Sequence, residues 1–302
     1  MPAPAPLLIA DIPWLLYRSH FALPASIVDG EGRPVNALLG TVNVLLGLID
    51  ARLAARRPRC VVACMGAEQA DYRVELYPAY HADRDPMPAA LAEQWGKAPA
   101  LLGSLGWIVS TSETLEADDV MFSFARVEEA GGGRAQLVTG DRDLFAAVSD
   151  RVAVLELRKG GDPGEIGPAG VRERYGVDPE LVPDFIALRG DPSDGLPGAP
   201  GVGAKTAAEL LRRYGSLEGA IEAARTVAEV VRRGDGAMRP RTAASLRENA
   251  ELLRTFKQIA TMQQIAVQRP ADRETDFAGG ALAARELGMS RLAERLEKMA
   301  AA

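Results

Sequence analysis

The chain has 302 residues, 47% of them apolar and 25% charged. That balance is average for a globular protein and excludes a fibrous or wholly disordered one. The formal net charge is −6, so any attraction to nucleic acid must come from local basic clusters. Two cysteines, Cys60 and Cys64, and two histidines, His20 and His81, exclude a disulfide scaffold and a zinc centre built from thiols or several imidazoles. The apolar run over residues 7–16 is broken by Asp11 and Pro13 and falls short of the roughly 20 residues a membrane helix needs. No basic stretch precedes it, as a secretory leader requires. The expectation is a reduced, cytoplasmic protein with no membrane association.

In chain order, residues 7–11 (LLIAD) read as a buried strand ending in a carboxylate. Residues 35–56 carry helical spacing and run into the basic cluster Arg52, Arg56, Arg57 and Arg59. Residues 60–65 (CVVACM) are a second strand with two inert thiols, and a polar, proline-flanked stretch follows over 79–88. A helix is expected over 89–105, a strand over 106–110, and a helix over 116–130, stopped by Gly131, Gly132 and Gly133. Residues 135–139 read as a strand, 142–149 as a short helix and 152–157 as a further strand. Alternating strands and helices predict an α/β unit with a mostly parallel sheet. Beyond residue 168 the pattern is helical, which places a boundary near 165: an α/β part over 1–165 and a helical part over 166–302.

Acids recur after apolar segments in four places: Asp11; Glu116, Asp118 and Asp119; Asp141 and Asp143; Asp191 and Asp194. Asp11 and Asp141 directly follow buried strands, and ligands of open α/β sheets gather at the carboxyl ends of strands. Glu116, Asp118 and Asp119 open a helix, whose dipole favours negative charge. Singly, such acids are helix caps or solvated turns. Gathered at one place, these eight would push one another toward protonation unless cations neutralised them. Oxygen ligands in this number suit Mg²⁺ or Mn²⁺, as a pair about 4 Å apart.

Residues 196–214 carry a second signal, a Gly-x-x-Gly-x-Gly turn at Gly198, Gly201 and Gly203 leading into an amphipathic helix. The glycines permit close backbone approach, and the helix start offers free N–H groups beside Lys205 and Thr206. No strand precedes Gly198, which argues against a dinucleotide-binding loop. The arrangement is that of a helix-hairpin-helix turn, which grips the DNA backbone without reading sequence. Residues 196–241 hold eight basic and five acidic residues, a local excess of positive charge. A ligand-free helix–helix turn is the bland alternative.

Taken together, IADIPWLLYRSHFALP, YRVELYPAYHADR, LEADDVMFSFA, LVTGDRDLFAAVSD and LRGDPSDGLPGAPGVGAKTAAELL resemble the bacterial 5′-nucleases of the flap-endonuclease superfamily over roughly residues 7–260. The resemblance implies a PIN-like central sheet flanked by helices, a helical arch over about 80–105 and a helix-hairpin-helix in a helical second half. It implies a two-metal hydrolase, monomeric, acting on DNA with 5′ ends or 5′ flaps. Asp11, Glu116 and Asp118 match ligands of the first metal, Asp141, Asp143, Asp191 and Asp194 those of the second, and Asp119 an acid close to both. Arg73, Tyr80 and Arg84 match positions that contact the strand or the scissile phosphate. The resemblance also implies a K⁺ ion at the glycine turn, as in similar turns of the family.

Three positions depart from that pattern. Gly66 stands where the family has an aspartate, Ile12 and Pro13 follow Asp11 where it has glycine, and His81 stands where it has lysine. In the family that lysine supplies a fixed positive charge to the phosphate; His81, expected with Arg73, Tyr80 and Arg84 as a catalytic residue at the strand, carries it only when protonated. Gly66 therefore predicts a metal site weakened by one ligand, with Glu68, two residues on, as a candidate replacement. These departures leave open a second reading, a DNA-binding relative with weakened or absent catalysis, and a third, a scaffold for a repair partner. Trp14, Trp95 and Trp107 read as core or arch packing, and His20 as structural.

Overall fold

The computed structural model describes residues 5–49, 57–158, 163–230 and 238–301. Residues 50–56 of the expected second helix, with Arg52 and Arg56 of its basic cluster, lie outside them. Six strands form, β1 (Leu7–Asp11), β2 (Cys60–Met65), β3 (Ile108–Thr111), β4 (Ala135–Val138), β5 (Val152–Glu156) and β6 (Gly164–Ile166). They make one sheet in the order β3-β2-β1-β4-β5-β6. All pairings are parallel except β5 with β6, which is antiparallel. The third strand begins two residues later than expected, because Gly106 turns with φ +72° and Trp107 is sunk in the core. The short edge strand β6 has no apolar run to announce it, and the boundary expected near 165 falls inside it.

The helices of the first half are α1 (Ile12–Ala22), α2 (Asn36–Ile49), α3 (Asp71–Leu76), α4 (Ala89–Ser104) and α5 (Ala117–Ala130). The segment expected as a short helix over 142–149 is a 3₁₀ turn, Asp143–Ala147. The second half supplies α6 (Pro168–Tyr175), α7 (Val182–Arg189), α8 (Ala204–Tyr214), α9 (Leu217–Val230), α10 (Pro240–Glu248), α11 (Ala250–Ala260), α12 (Phe277–Glu286) and α13 (Ser290–Ala300).

Side chains alternate across a strand, and β1 shows the consequence. Leu7 and Ile9 enter one apolar core with residues of α5, α7, α8, α9 and α11. Leu8 and Ala10 enter the other, with α1, α2, α4, α12 and α13. Both faces of the sheet are therefore covered, as a parallel sheet requires. The helical half fills the first core, while its last two helices cross to the second. An extended strap between α11 and α12 makes the crossing. It is fastened by Gln263 N–H to Asp119 (2.6 Å), Ile265 N–H to Ser123 Oγ (2.9 Å), Arg273 N–H to the Arg59 carbonyl (2.9 Å) and Asp276 N–H to the Leu105 carbonyl (2.8 Å). Among the described residues no helix is long and apolar enough to cross a membrane.

Candidate active site

From β1 the sheet grows toward β2 and β3 on one side and toward β4 and β5 on the other. The carboxyl ends of β1 and β4 thus flank the crevice where open α/β sheets hold their ligands. A cleft of about 700 Å³ opens there, lined by Asp11, Glu116, Asp118 and Asp141, with Glu68, Arg84, Trp14, Tyr17 and Trp95 on its walls. Trp107 is core as expected, and Trp14 and Trp95 pack half-buried against the second core while also walling the cleft. Arg84, Asp85, Pro86 and Trp95 bring the 80–105 segment to the cleft, and Leu91, Ala98, Leu101 and Leu102 of the same segment anchor it in the core.

Local structure aims each acid. Asp11 ends β1 and caps α1, accepting from Trp14 N–H at 3.0 Å. Pro13, in the first turn of α1, has no N–H to strand and suits the helix start; this is the structural use of the Ile12-Pro13 departure. Thr139 Oγ1 donates to Asp11 (2.7 Å) and accepts from Asp141 N–H (2.9 Å), joining the two strand ends. Asp141 accepts from Asp143 N–H at 2.8 Å, a local turn that presents both carboxylates. Glu116 sits at the N-cap position of α5 and accepts from Ala70 N–H (2.9 Å), Arg73 Nη1 (2.9 Å) and Tyr80 OH (3.1 Å). Asp191 accepts from Ser193 N–H (2.9 Å) and pairs with Arg189 (2.9 Å), while Asp194 is held by His81 Nε2 at 2.9 Å.

Burial raises the Asp11 carboxyl to about 6, with the charges of Asp141 and Glu116 adding to it. Burial also lifts Asp141 to about 6, with Asp194, Asp191 and Glu116 adding. Asp118 is pushed well above the usual carboxylate range by burial and then by Asp141, Asp11 and Glu116. Asp143 is raised likewise, by burial and then by Asp141, Asp194 and Asp191. The acids therefore form two groups that feel each other through Asp141. One is Asp11, Glu116 and Asp118; the other is Asp143, Asp191 and Asp194. Repulsion of this kind is what a divalent cation relieves, and an all-oxygen donor set fits a hard one. Among the described residues no three acidic, histidine or cysteine side chains already form a group that could hold a metal ion. The donor chemistry is in place, and the closing of the ligands is not.

Asp119 stands apart. It is fully buried, does not line the cleft, and accepts from Gln263 N–H and from Arg73 Nη2 at 3.3 Å. Its Oδ2 is buried without a partner. Arg73 is 3% exposed and spans Glu116, Asp119 and the Ile259 carbonyl (3.0 Å). Tyr80 and His81 are buried too, so of the four residues expected at the strand only Arg84 presents an exposed side chain.

At Gly66 the backbone leaves no room for the aspartate of the family pattern. A β-carbon there would lie 2.5 Å from Ala117 N, Glu116 C and Leu115 O, all backbone atoms. The end of β2 is pressed against the start of α5, and no side chain fits between them. Glu68 reaches the cleft wall instead, with Tyr17 OH donating to it at 2.8 Å.

In the glycine turn the three glycines differ. A β-carbon at Gly198 (φ +66°) would strike the backbone of Arg189 and Gly190, so this glycine serves internal packing. Gly201 (φ +79°) and Gly203 face open space, with Lys205 exposed and Thr206 half-buried beside them at the start of α8. Ser245 of α10 donates to the Pro200 carbonyl at 2.9 Å and steadies the turn. Thr139 and the strap were not read from the sequence. Thr139 had a signal, a lone hydroxyl at the end of an apolar strand beside an acid; the strap, without periodicity, had none.

A PIN-like sheet with an acid-floored cleft at its switch point and a SAM-like helical part is a nuclease architecture. Residues 6–176 match the family of the 5′-3′ exonuclease N-terminal resolvase-like domain, and residues 177–275 that of the 5′-3′ exonuclease C-terminal SAM fold. The chain belongs to the 5′-3′ exonuclease family. It is 38% identical to DNA polymerase I of Mycobacterium tuberculosis over 272 residues, which is 89% of this chain but only 29% of that polymerase. It is 40% identical to a 5′-3′ exonuclease of Streptomyces coelicolor, over 70% of this chain and 73% of that one. The fold is shared with the bacteriophage T5 flap endonuclease in a complex with DNA and metal ions (TM-score 0.62, 18% identity, 98% of this chain and 99% of that one). It is also shared with the catalytic core of Rad2 in complex with DNA substrate (TM-score 0.64, 12% identity, 99% and 92%).

Proposed function

We propose that the protein is a structure-selective 5′-nuclease, a flap endonuclease and 5′→3′ exonuclease that hydrolyses DNA phosphodiesters with Mg²⁺ or Mn²⁺. The observation that carries this reading is the pair of carboxylate groups meeting at Asp141, which lines the cleft with Asp11, Glu116 and Asp118 and feels the charges of both groups. Asp11, Glu116, Asp118 and Asp141 would hold one cation and Asp141, Asp143, Asp191 and Asp194 a second. Bound cations supply an activated water and neutralise charge on the phosphate. The chain's own part is to aim these acids, through Thr139, Arg73 and Tyr80, and to offer Arg84 at the cleft wall to the strand.

Gly201, Gly203, Lys205 and Thr206 would hold duplex phosphates, with a K⁺ ion at the turn. The division of labour is a nuclease core up to about residue 165 and a helical DNA-holding part after it. The protein works as a monomer on DNA with 5′ ends or flaps. The reading as a binder without catalysis is not favoured, since the family matched along the chain is that of 5′-3′ exonucleases.

Cleavage of a 5′-flap duplex with Mn²⁺ or Mg²⁺, and its loss in EDTA, tests the proposal. The Asp141→Asn, Asp143→Asn double variant should bind the flap and lose turnover by at least about 100-fold. Parental turnover in that variant would refute the assignment.

A further inference from the structure

We propose that His81 is a positioning residue: stacked with Tyr80, it forms a rigid spacer that fixes Asp194 relative to Glu116. This rests on the nuclease reading, in which those two acids belong to opposite carboxylate groups of the cleft.

The stack joins the two acids physically. Tyr80 OH donates to Glu116 at 3.1 Å. The Tyr80 and His81 rings lie 3.8 Å apart between centroids and 24° from parallel. His81 Nε2 donates to Asp194 Oδ1 at 2.9 Å. A carboxylate of each group is thus tied to one ring of a single stacked pair.

The backbone is committed to the same end. Among the described residues His81 is the one non-glycine residue with positive φ, at 55°. A β-carbon resists that conformation, and it persists only where the surroundings enforce it. Here they do. His81 N–H donates to the Asp194 carbonyl (3.3 Å), and Gln69 donates to the His81 carbonyl (3.4 Å). Gly195 (φ +73°) passes so close to the Ala79 carbonyl that a β-carbon would lie 2.8 Å from it. The 77–84 turn and the 191–196 loop are therefore clasped, with the histidine ring between them.

The same facts argue against His81 reaching a phosphate. Its side chain is 1% exposed, one ring face lies on Tyr80, and Nε2 is taken by Asp194. Nδ1 is enclosed without a partner, so the ring offers no free donor to the cleft.

The experiment compares His81→Phe, His81→Asn and His81→Lys with the parent. Five quantities are measured: Mn²⁺ affinity of the protein alone by electron paramagnetic resonance, amide exchange over residues 191–196, thermal melting, and kcat and KM on a 5′-flap duplex. Phenylalanine keeps the stack and loses the donor. Its Mn²⁺ affinity should fall about tenfold or more, the cost of removing a group that orients a metal ligand. Its kcat should fall between roughly 10- and 100-fold with KM little changed, and exchange in the 191–196 loop should rise. Asparagine tolerates the left-handed backbone and brings an N–H donor, so it should recover part of both losses. Lysine, lacking ring and conformation, should be worse than asparagine.

A lysine variant that matches or exceeds the parent, with a lower KM, would mean that position 81 delivers charge to the phosphate and would overturn the proposal. So would a phenylalanine variant with parental Mn²⁺ affinity and loop exchange. Should lysine unfold the chain, the phenylalanine and asparagine variants decide the matter. If the parent itself fails to cut flap DNA, the nuclease reading falls, while loop exchange and Mn²⁺ affinity still test the spacer.

Discussion

Gly66→Asp would restore the carboxylate that the family pattern has after its second strand, and sequence reasoning expects it to tighten metal binding. The structure predicts the opposite. The new β-carbon would sit 2.5 Å from three backbone atoms at the start of α5, against an ordinary contact of 3.4 Å or more. Relief requires the Leu115, Glu116 and Ala117 backbone to move by about 0.9 Å, since no flexible side chain is there to yield. Overpacking of this kind costs about 1–3 kcal/mol, and each kcal/mol lowers the melting temperature by about 2–4 °C at this chain length. The larger effect is functional, because the displaced turn carries Glu116 and Asp118. Misplacement by about 1 Å can cost roughly 100-fold in rate. Gly66→Ala tests the space alone and Gly66→Asp the space and the charge together. Both should melt lower, bind Mn²⁺ more weakly by direct titration and cut a 5′ flap more slowly. If Gly66→Asp bound Mn²⁺ more tightly and cut faster at unchanged melting temperature, the space denied to it exists, and the account of this strand end is wrong.

Two further outcomes are expected. Asp11 and Asp141, raised from 3.8 to about 6 by burial and neighbouring charge, favour the folded state when protonated. Their contribution is complete below the unfolded value and is lost as pH rises through about 6, which for Asp11 is worth roughly 3 kcal/mol. The metal-free protein should therefore melt higher at pH 5 than at pH 7, and Mn²⁺ should raise the melting temperature more at pH 7; equal metal increments at both would refute this. Gly201→Val with Gly203→Val places bulk where both glycines face open space, so binding to duplexes of any sequence should weaken alike and its salt dependence flatten. Unchanged affinity in the folded double variant would move the duplex elsewhere.

What the sequence made legible was whatever a short window determines. β1, β2 and β4 announce themselves as apolar runs, and the acids at the ends of β1 and β4 follow from chain order alone. Asp11 and Asp141 meet in the cleft for that reason. The contacts that a short window hides have a different cause. Gly66 read as an open ligand position, Gly198 as part of a phosphate cradle, and Arg73 as a strand contact. Gly66 is enclosed by the start of α5 and Arg73 by residues 259–263, both far along the chain, while Gly198 is packed against Arg189 and Gly190 at the end of α7. His81 belongs with them, since its backbone conformation is enforced by a loop more than a hundred residues away.

The acids of LEADDV show how a compact motif divides in space. Successive helical residues are rotated by about 100°, so Asp118 and Asp119 cannot share a face. Asp118 faces the cleft, and Asp119 faces the strap that carries Gln263. Glu116 and Asp119, three apart, fall on one side, which is why a single guanidinium, that of Arg73, reaches both. Its Nε–H goes to the Ile259 carbonyl at the end of α11. A buried arginine so placed would be costly if any of its partners were absent. The guanidinium that orients Glu116 at the cleft edge is thus held from behind by the helical half. The part that would grip duplex DNA and the part that would cut are joined through that one side chain.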